Sequence, residues 1–193
     1  MVIIKTKCTE LDDREIVRLS LQDLQYFSCL YERYAPRLLK YIRTISFAGE
    51  DDAQDILQEA FIKVWRNLNE YDEAMKLSSW LYRIVHNETI SHYRKKSSFG
   101  KDQLVDIEET RLKDLHADVD IGPPQEDKLD HTYRVLGLMP VKYRECIVLQ
   151  YFEQMSYEDI SDILKIPEGT VAIRINRAKK LFKKIAEKEH ISF

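Results

Sequence analysis

Between Asp23 and Lys96 the apolar residues recur at steps of three and four, as in Leu30, Tyr34, Leu38, Tyr41 and Ile45 and again in Ala53, Ile56, Ala60, Val64 and Leu68. That period puts one apolar stripe on each of two amphipathic helices. The first ends in the interruption from Phe47 to Asp51, where Gly49 offers a turn position, and the second in the polar stretch from Asn67 to Ser79. A third helix opens at Ser78 or Ser79, either of which can cap it, and runs through Trp80, Leu81, Ile84 and Val85 to a basic end at Arg94, Lys95 and Lys96. Over residues 97–129 the period disappears and Gly122, Pro123 and Pro124 break the chain, which predicts a linker with some helix around Glu108 to Leu115. The helical pattern returns at Asp130 and holds to the end. The expected class is all-α, with an N-terminal extension and first helix start (1–22), a helical domain (23–96), an acidic flexible linker (97–129) and a second helical domain (130–193).

Composition agrees with that class. Hydrophobic residues make up 44% and charged residues 33%, with five Gly and five Pro, which fits helices better than a β-sandwich or a disordered tail. The first apolar run, Val2 to Ile4, is too short for a signal peptide, and no stretch approaches the roughly 20 apolar residues that cross a bilayer. A cytoplasmic protein with no membrane insertion is expected. The net charge of −3 conceals a division: residues 97–130 hold 4 Lys and Arg against 10 Asp and Glu, and residues 131–193 hold 11 against 8. An acidic connector thus precedes a basic block that permits nucleic-acid contact.

Catalytic chemistry finds little support. There is no Gly-rich phosphate loop, and His86, His92, His116, His131 and His190 show no metal-ligand spacing. The carboxylate pairs Asp51-Asp52 and Glu108-Glu109 lie in charged, exposed segments with nothing to perturb them. Cys8, Cys29 and Cys146 are an odd number, far apart and without a C-x-x-C pair, so they read as core or incidental thiols rather than a disulfide framework or zinc site. No catalytic residue, metal or cofactor is expected.

The densest signal lies between Met155 and Lys184. Ser156 followed by Asp159 is a capping-box start, and Ile160, Ile163 and Leu164 give one apolar face. The helix stops at Lys165, because Pro167 disfavours helical geometry in the residue before it, and Gly169 adds a flexible turn position. A second helix then starts near Thr170 with a Val171, Ile175, Ala178, Leu181 stripe inside. Residues 168–188 carry seven basic residues against two acidic ones. Capped helix, tight turn and basic second helix together make the helix-turn-helix plan, in which the second helix enters the major groove.

These residues resemble the end of the extracytoplasmic-function group of bacterial RNA polymerase sigma factors. The matching pieces are Leu138-Met139-Pro140 with Arg144, then Tyr157, Asp159, Ile160, Ile166-Pro167, Gly169-Thr170-Val171, Arg174, Arg177 and Ala178. An earlier block resembles the same family's other domain: Asp52 to Phe61 is similar to its D-A-x-D-x-x-Q-E-x-F segment, and Ser79-Trp80-Leu81-Tyr82-Arg83-Ile84 with Asn87 to its promoter-melting helix. The likeness runs from about Leu21 to Ile185. It implies a sigma factor that binds core RNA polymerase and promoter DNA, helps to melt the promoter, and is held by an anti-sigma factor.

The resemblance also implies residue roles. Asp55, Gln58, Glu59 and Ile62, on the outer face of the helix whose inner face is Ile56, Ala60 and Val64, would bind core polymerase; plain helix solvation is the alternative. Tyr71, Trp80, Arg83, Asn87 and Arg94 would hold the melted proximal (−10) element through stacking, polar base contacts and charge, although Trp80 also suits the core. Thr170, Ala172, Ile173, Asn176, Arg177 and Lys180 would read the distal (−35) element, with Lys183 and Lys184 on phosphates. Ala172 and Ile173 depart from the family, which often has a basic and a small polar residue there. Base reading would then rest on methyl contacts, Asn176 and Arg177. The acidic linker would thread through polymerase. A DNA-binding regulator sharing the helix-turn-helix, or a helical interaction module, is the rival reading.

Overall fold

The computed structural model describes residues 8–98 and 127–191, with side chains over 8–94 and 131–191. Every regular element among them is helical, in agreement with the all-α expectation. Helix α1 (Asp13–Ser20) falls within the expected N-terminal extension and is started by a reciprocal Asp12–Glu15 capping box. Its Ile16 and Val17 are buried against α2 (Phe27–Ser46), so the extension belongs to the first core. α2 ends at Phe47, whose left-handed φ of 54° turns the chain toward α3 (Glu50–Arg66). Glu50, Asp51 and Asp52 in the first turn of α3, and Lys63 and Arg66 in its last, complement the helix dipole.

Helix α4 (Leu77–Ser98) differs from expectation at its start. It begins at Leu77, and neither serine serves as its cap: Ser79 sits inside the first turn and its hydroxyl donates to Asp159, far away in the sequence. The second half comprises α5 (Asp127–Gly137), α6 (Val141–Ile147), a π-helical turn over Val148–Phe152, α7 (Tyr157–Leu164) and α8 (Glu168–Lys188). The expected linker ends, 97–98 and 127–129, are therefore helical; its remainder, with the helix expected around Glu108, lies outside the described residues.

The two halves meet. α4 lies along α7, α2 reaches α6, and the buried apolar residues form one contiguous cluster from Leu30 and Tyr41 through Leu81 to Leu149 and Ile160. Arg144 at the centre is 6% exposed, and its guanidinium donates to the carbonyls of Leu136, Met139 and Ile45 at 2.8 Å and of Gly137 at 3.2 Å. Three of those carbonyls lie at or just beyond the C-terminus of α5, where helix acceptors are orphaned. The Ile45 bond crosses to the other half.

The cysteine expectation fails for Cys8 and Cys29 and holds for Cys146. Cys8 and Cys29 are joined by a disulfide, their Cα atoms 5.3 Å apart. The chain returns through α1 to bring them together, and spacing alone did not reveal that return. Cys146 is free, buried, and its thiol is pushed up to about 12 by burial.

Candidate nucleic-acid interface

Ser156 and Asp159 form the predicted capping box, with the Asp159 N–H donating to Ser156 Oγ at 3.1 Å and the Ser156 N–H to Asp159 Oδ2 at 3.2 Å. The turn after α7 is built differently from the expectation. Lys165, not Gly169, takes the left-handed conformation (φ 54°), and Gly169 lies inside the first turn of α8, which starts at Glu168 right after Pro167. Proline's fixed φ and absent N–H suit the residue that leads into a helix, so α8 begins two residues earlier than read. The Ser161 hydroxyl closes the turn by donating to the Ile166 carbonyl at 2.6 Å.

Val171, Ile175 and Ala178 are fully buried on the inner face of α8. Ile173 (53% exposed), Asn176, Arg177 and Lys180 follow one another at three and four on the outer face, continued by Lys184, with Lys183 also exposed. Thr170 and Ala172 are half-buried at its start. Three of the seven basic residues have partners inside the protein: Arg174 meets Glu145 at 3.2 Å, the Lys179 ammonium lies 5.2 Å from the Tyr151 ring centroid, and Lys183 pairs with Glu187 one turn on at 3.9 Å.

On α3, Asp55, Gln58, Glu59 and Ile62 all face solvent, Ile62 at 43% exposure. Beside them Trp65 (40% exposed) packs on Phe27 at 5.2 Å, and Tyr31 on Phe61 at 4.7 Å. The sequence reading did not single out this aromatic edge; the four-residue steps from Phe27 to Tyr31 and from Phe61 to Trp65 would have shown it. On α4, Asn87 and Arg94 are exposed and Arg83 is half-buried on the same side. Tyr71 and Trp80 pack in a tilted pair with centroids 5.2 Å apart, and the Tyr71 hydroxyl donates to the Met75 carbonyl. Trp80 is only 6% exposed, so in this arrangement it is a core residue.

Next to that pair lies a buried polar seam between the halves, which the sequence did not announce. Asp159 accepts from Lys76 Nζ and Ser79 Oγ, both at 2.8 Å, and from the Ser156 hydroxyl at 2.6 Å. Burial alone would raise its carboxyl; hydrogen bonds from Lys76, Ser156 and Ser79 outweigh that and hold it at about 2. Glu153 accepts from the Tyr82 hydroxyl and from Arg37 at 3.2 Å. Glu145 lies 3.8 Å from His86 and is pushed up to about 7 by burial, against the pull of Arg174 and Arg144. Burial takes His86 the other way, to about 4. Among the described residues no group of three His, Cys, Asp or Glu could hold a metal, and no helix is long and apolar enough to cross a membrane.

The comparisons with known proteins match this two-part layout. The Sigma-70 region 2 model matches residues 30–99 and the Sigma-70 region 4 model residues 132–182. Among curated proteins, the chain is 39% identical over 142 residues to the ECF RNA polymerase sigma factor SigW of Bacillus subtilis, covering 69% of this chain and 74% of that one. It is 31% identical to the RNA polymerase sigma-H factor of Pseudomonas aeruginosa, covering 91% of this chain and 93% of that one. In fold it is similar to CnrH solved with the cytosolic domain of CnrY (TM-score 0.67, 21% identity, 91% and 97% covered). It is also similar to the sigma factor RpoE solved with the anti-sigma factor NepR from Bartonella quintana (0.63, 23%, 83% and 96%). With both region models in the right order and relatives of this identity over most of their length, the chain belongs to the extracytoplasmic-function family of RNA polymerase sigma factors.

Proposed function

We propose that the protein joins core RNA polymerase in the cytoplasm and directs it to a set of promoters, contributing recognition and strand opening but no catalysis of its own. The observation that carries this is the pairing of an exposed polar face on α3 with a capped helix-turn-helix whose outer face presents Ile173, Asn176, Arg177 and Lys180. In this reading residues 23–96 hold polymerase through Asp55, Gln58, Glu59 and Ile62, and hold the melted proximal element through Tyr71, Trp80, Arg83, Asn87 and Arg94. Residues 97–129 tether the halves through polymerase. Residues 130–193 read the distal element, with Thr170 and Ala172 at the groove entrance, Asn176 and Arg177 on base edges, Ile173 on a thymine methyl and Lys180 on phosphate. Any membrane link comes through a partner, and an anti-sigma factor restrains the protein, as NepR is bound by one structural relative.

The test is reconstitution. Purified chain and core polymerase are incubated with a library of genomic fragments and run-off transcripts are sequenced. Specific starts sharing a proximal and a distal element, absent without the chain, are expected. Random starts, or operator binding by the chain alone with no effect on polymerase, would refute the reading.

A further inference from the structure

Disulfides are rare beside the thiol pool of a cytoplasm, and those found there mostly respond to redox state. The Cys8–Cys29 bond is not needed to hold its corner of the fold together. The Arg33 guanidinium donates to the carbonyls of Cys8 and Leu11 and to the Asp13 carboxylate, each at 2.7 Å, and the Tyr34 hydroxyl donates to Asp13 at 2.5 Å. Ile16 and Val17 add buried apolar surface. Breaking the S–S bond therefore loosens the segment before α1 without unfolding the domain.

The two sulfurs are unequal. Cys8 is 9% exposed and is followed by exposed Thr9 and Glu10, whereas Cys29 is 1% exposed and lies in the first turn of α2. The unpaired N–H groups of that turn, with Arg33 one turn further on, favour a thiolate at Cys29; Asp13, paired with the same Arg33, offsets part of that charge. A stabilised leaving thiolate speeds exchange. A thiol reductant thus attacks the Cys8 sulfur, the Cys8–Cys29 bond breaks, and Cys29 departs as thiolate and takes up a proton. A second thiol, of the same or another reductant molecule, then displaces Cys8, so the protein gains two electrons and the reductant is left as a disulfide. Cys146 offers the contrast: fully buried, with its thiol pushed up to about 12, it takes no part.

The bond spans a sequence separation of 21 and so encloses α1, the single turn over Leu24–Tyr26 and the start of α2. Phe27, inside that loop, packs on Phe61 and Trp65 of α3 with centroids 6.2 and 5.2 Å apart, and exposed Leu24 precedes it. The crosslink therefore steadies one wall of the aromatic edge beside Asp55, Gln58, Glu59 and Ile62. We propose that Cys8 and Cys29 form a reversible thiol–disulfide site, exchanging with a thiol reductant, whose oxidised form holds the loop from residue 8 to 29 in the shape that docking on α3 requires. The inference rests on the proposed reading that the outer face of α3 binds core polymerase. A loop fixed in its bound shape loses less freedom on binding, and the oxidised chain should bind core polymerase roughly 2- to 10-fold tighter than the reduced one.

The full chain is equilibrated in buffers of reduced and oxidised glutathione, quenched with acid, and its thiols are counted in denaturant. The count should rise from one to three within the range that glutathione sets, with helical content unchanged. On reduction, the amides of residues 9–12 and of the Leu24–Tyr26 turn should exchange hydrogen several-fold faster. Core-polymerase affinity is then titrated for both forms. Cys8→Ser keeps the carbonyl that Arg33 holds, and should match the reduced wild-type chain in either buffer. A disulfide that glutathione leaves intact, or a Cys8→Ser chain that still responds to oxidation, would overturn the site. Equal affinity of the two forms removes the switch and leaves the polymerase reading standing, whereas a chain that binds polymerase in neither form removes that reading and the switch with it.

Discussion

Replacing Arg144 separates a structural arginine from a DNA-binding one. Its four carbonyl contacts are each worth roughly 1.5–3 kcal/mol for a charged donor. Against them stands desolvation, which lowers the Arg144 pKa from 12.5 to about 10, a cost of about 3 kcal/mol. Water entering the vacated space would satisfy some of the carbonyls. The balance for Arg144→Ala is a loss of about 3–5 kcal/mol, the range seen when a buried charged network loses one partner. At about 2–4 °C per kcal/mol for a chain of this size, the melting temperature should fall by roughly 6–20 °C. Arg144→Lys keeps the charge but not the planar fork that reaches acceptors on both halves, and should recover less than half of the loss. Thermal unfolding followed by circular dichroism gives the number. At a temperature where Arg144→Lys is folded, the salt slope of promoter binding should equal that of wild type. A melting shift under about 3 °C for the alanine variant, or a reduced salt slope for the lysine variant, would refute the clamp.

Three further outcomes are expected. Glu59→Arg should weaken core-polymerase binding at least tenfold in a pull-down titration while stability stays within about 0.5 kcal/mol, because Glu59 is exposed on α3. Arg177→Ala should cost about 1–3 kcal/mol in holoenzyme binding and relax preference at one or two base pairs, whereas Lys180→Ala should weaken every sequence alike and lower the salt slope by about one; equal loss across a randomised distal element would move Arg177 to the phosphate group. Glu145 takes up its proton in the folded state near pH 7 but unfolded near 4.5, so its contribution is present at low pH and lost as pH rises through that window. Relative to wild type, Glu145→Gln should therefore gain about 3 kcal/mol between pH 4.5 and 7 in urea unfolding, and a pH-independent difference would show that Glu145 is ionised when buried.

What could be read from the sequence was what is local or periodic. The stripes of α2, α3 and α8, the outer face from Asp55 to Ile62, and the Ser156–Asp159 capping box each follow from residues three or four apart. Boundaries were less legible. Pro167 correctly marks the end of α7, but whether Lys165 or Gly169 takes the left-handed position depends on how α8 docks, and docking is a tertiary matter. The same holds for Ser79, a fair helix cap by its type, whose hydroxyl is drawn away by Asp159. Cys8 with Cys29, Arg144 with Ile45 and Glu153 with Tyr82 are joined by packing that no spacing rule contains. The family motif flagged Arg144 without saying that its task is to bind carbonyls.

The π-helical turn after α6 makes chain length, rather than any side chain, the carrier of one piece of information. There the Glu153 N–H bonds the Val148 carbonyl five residues back, one more than in an α-helix. Each residue of an α-helix advances the direction of the next by about 100°. Deleting one residue between Val148 and Phe152 would restore ordinary winding and swing everything downstream by about that angle, carrying the Glu153 carboxylate from Tyr82 toward solvent and re-aiming the whole DNA-reading unit against the first half. The extra residue thus sets the phase in which the DNA-reading unit packs on the first half, and a gap of one there would matter more than most substitutions around it.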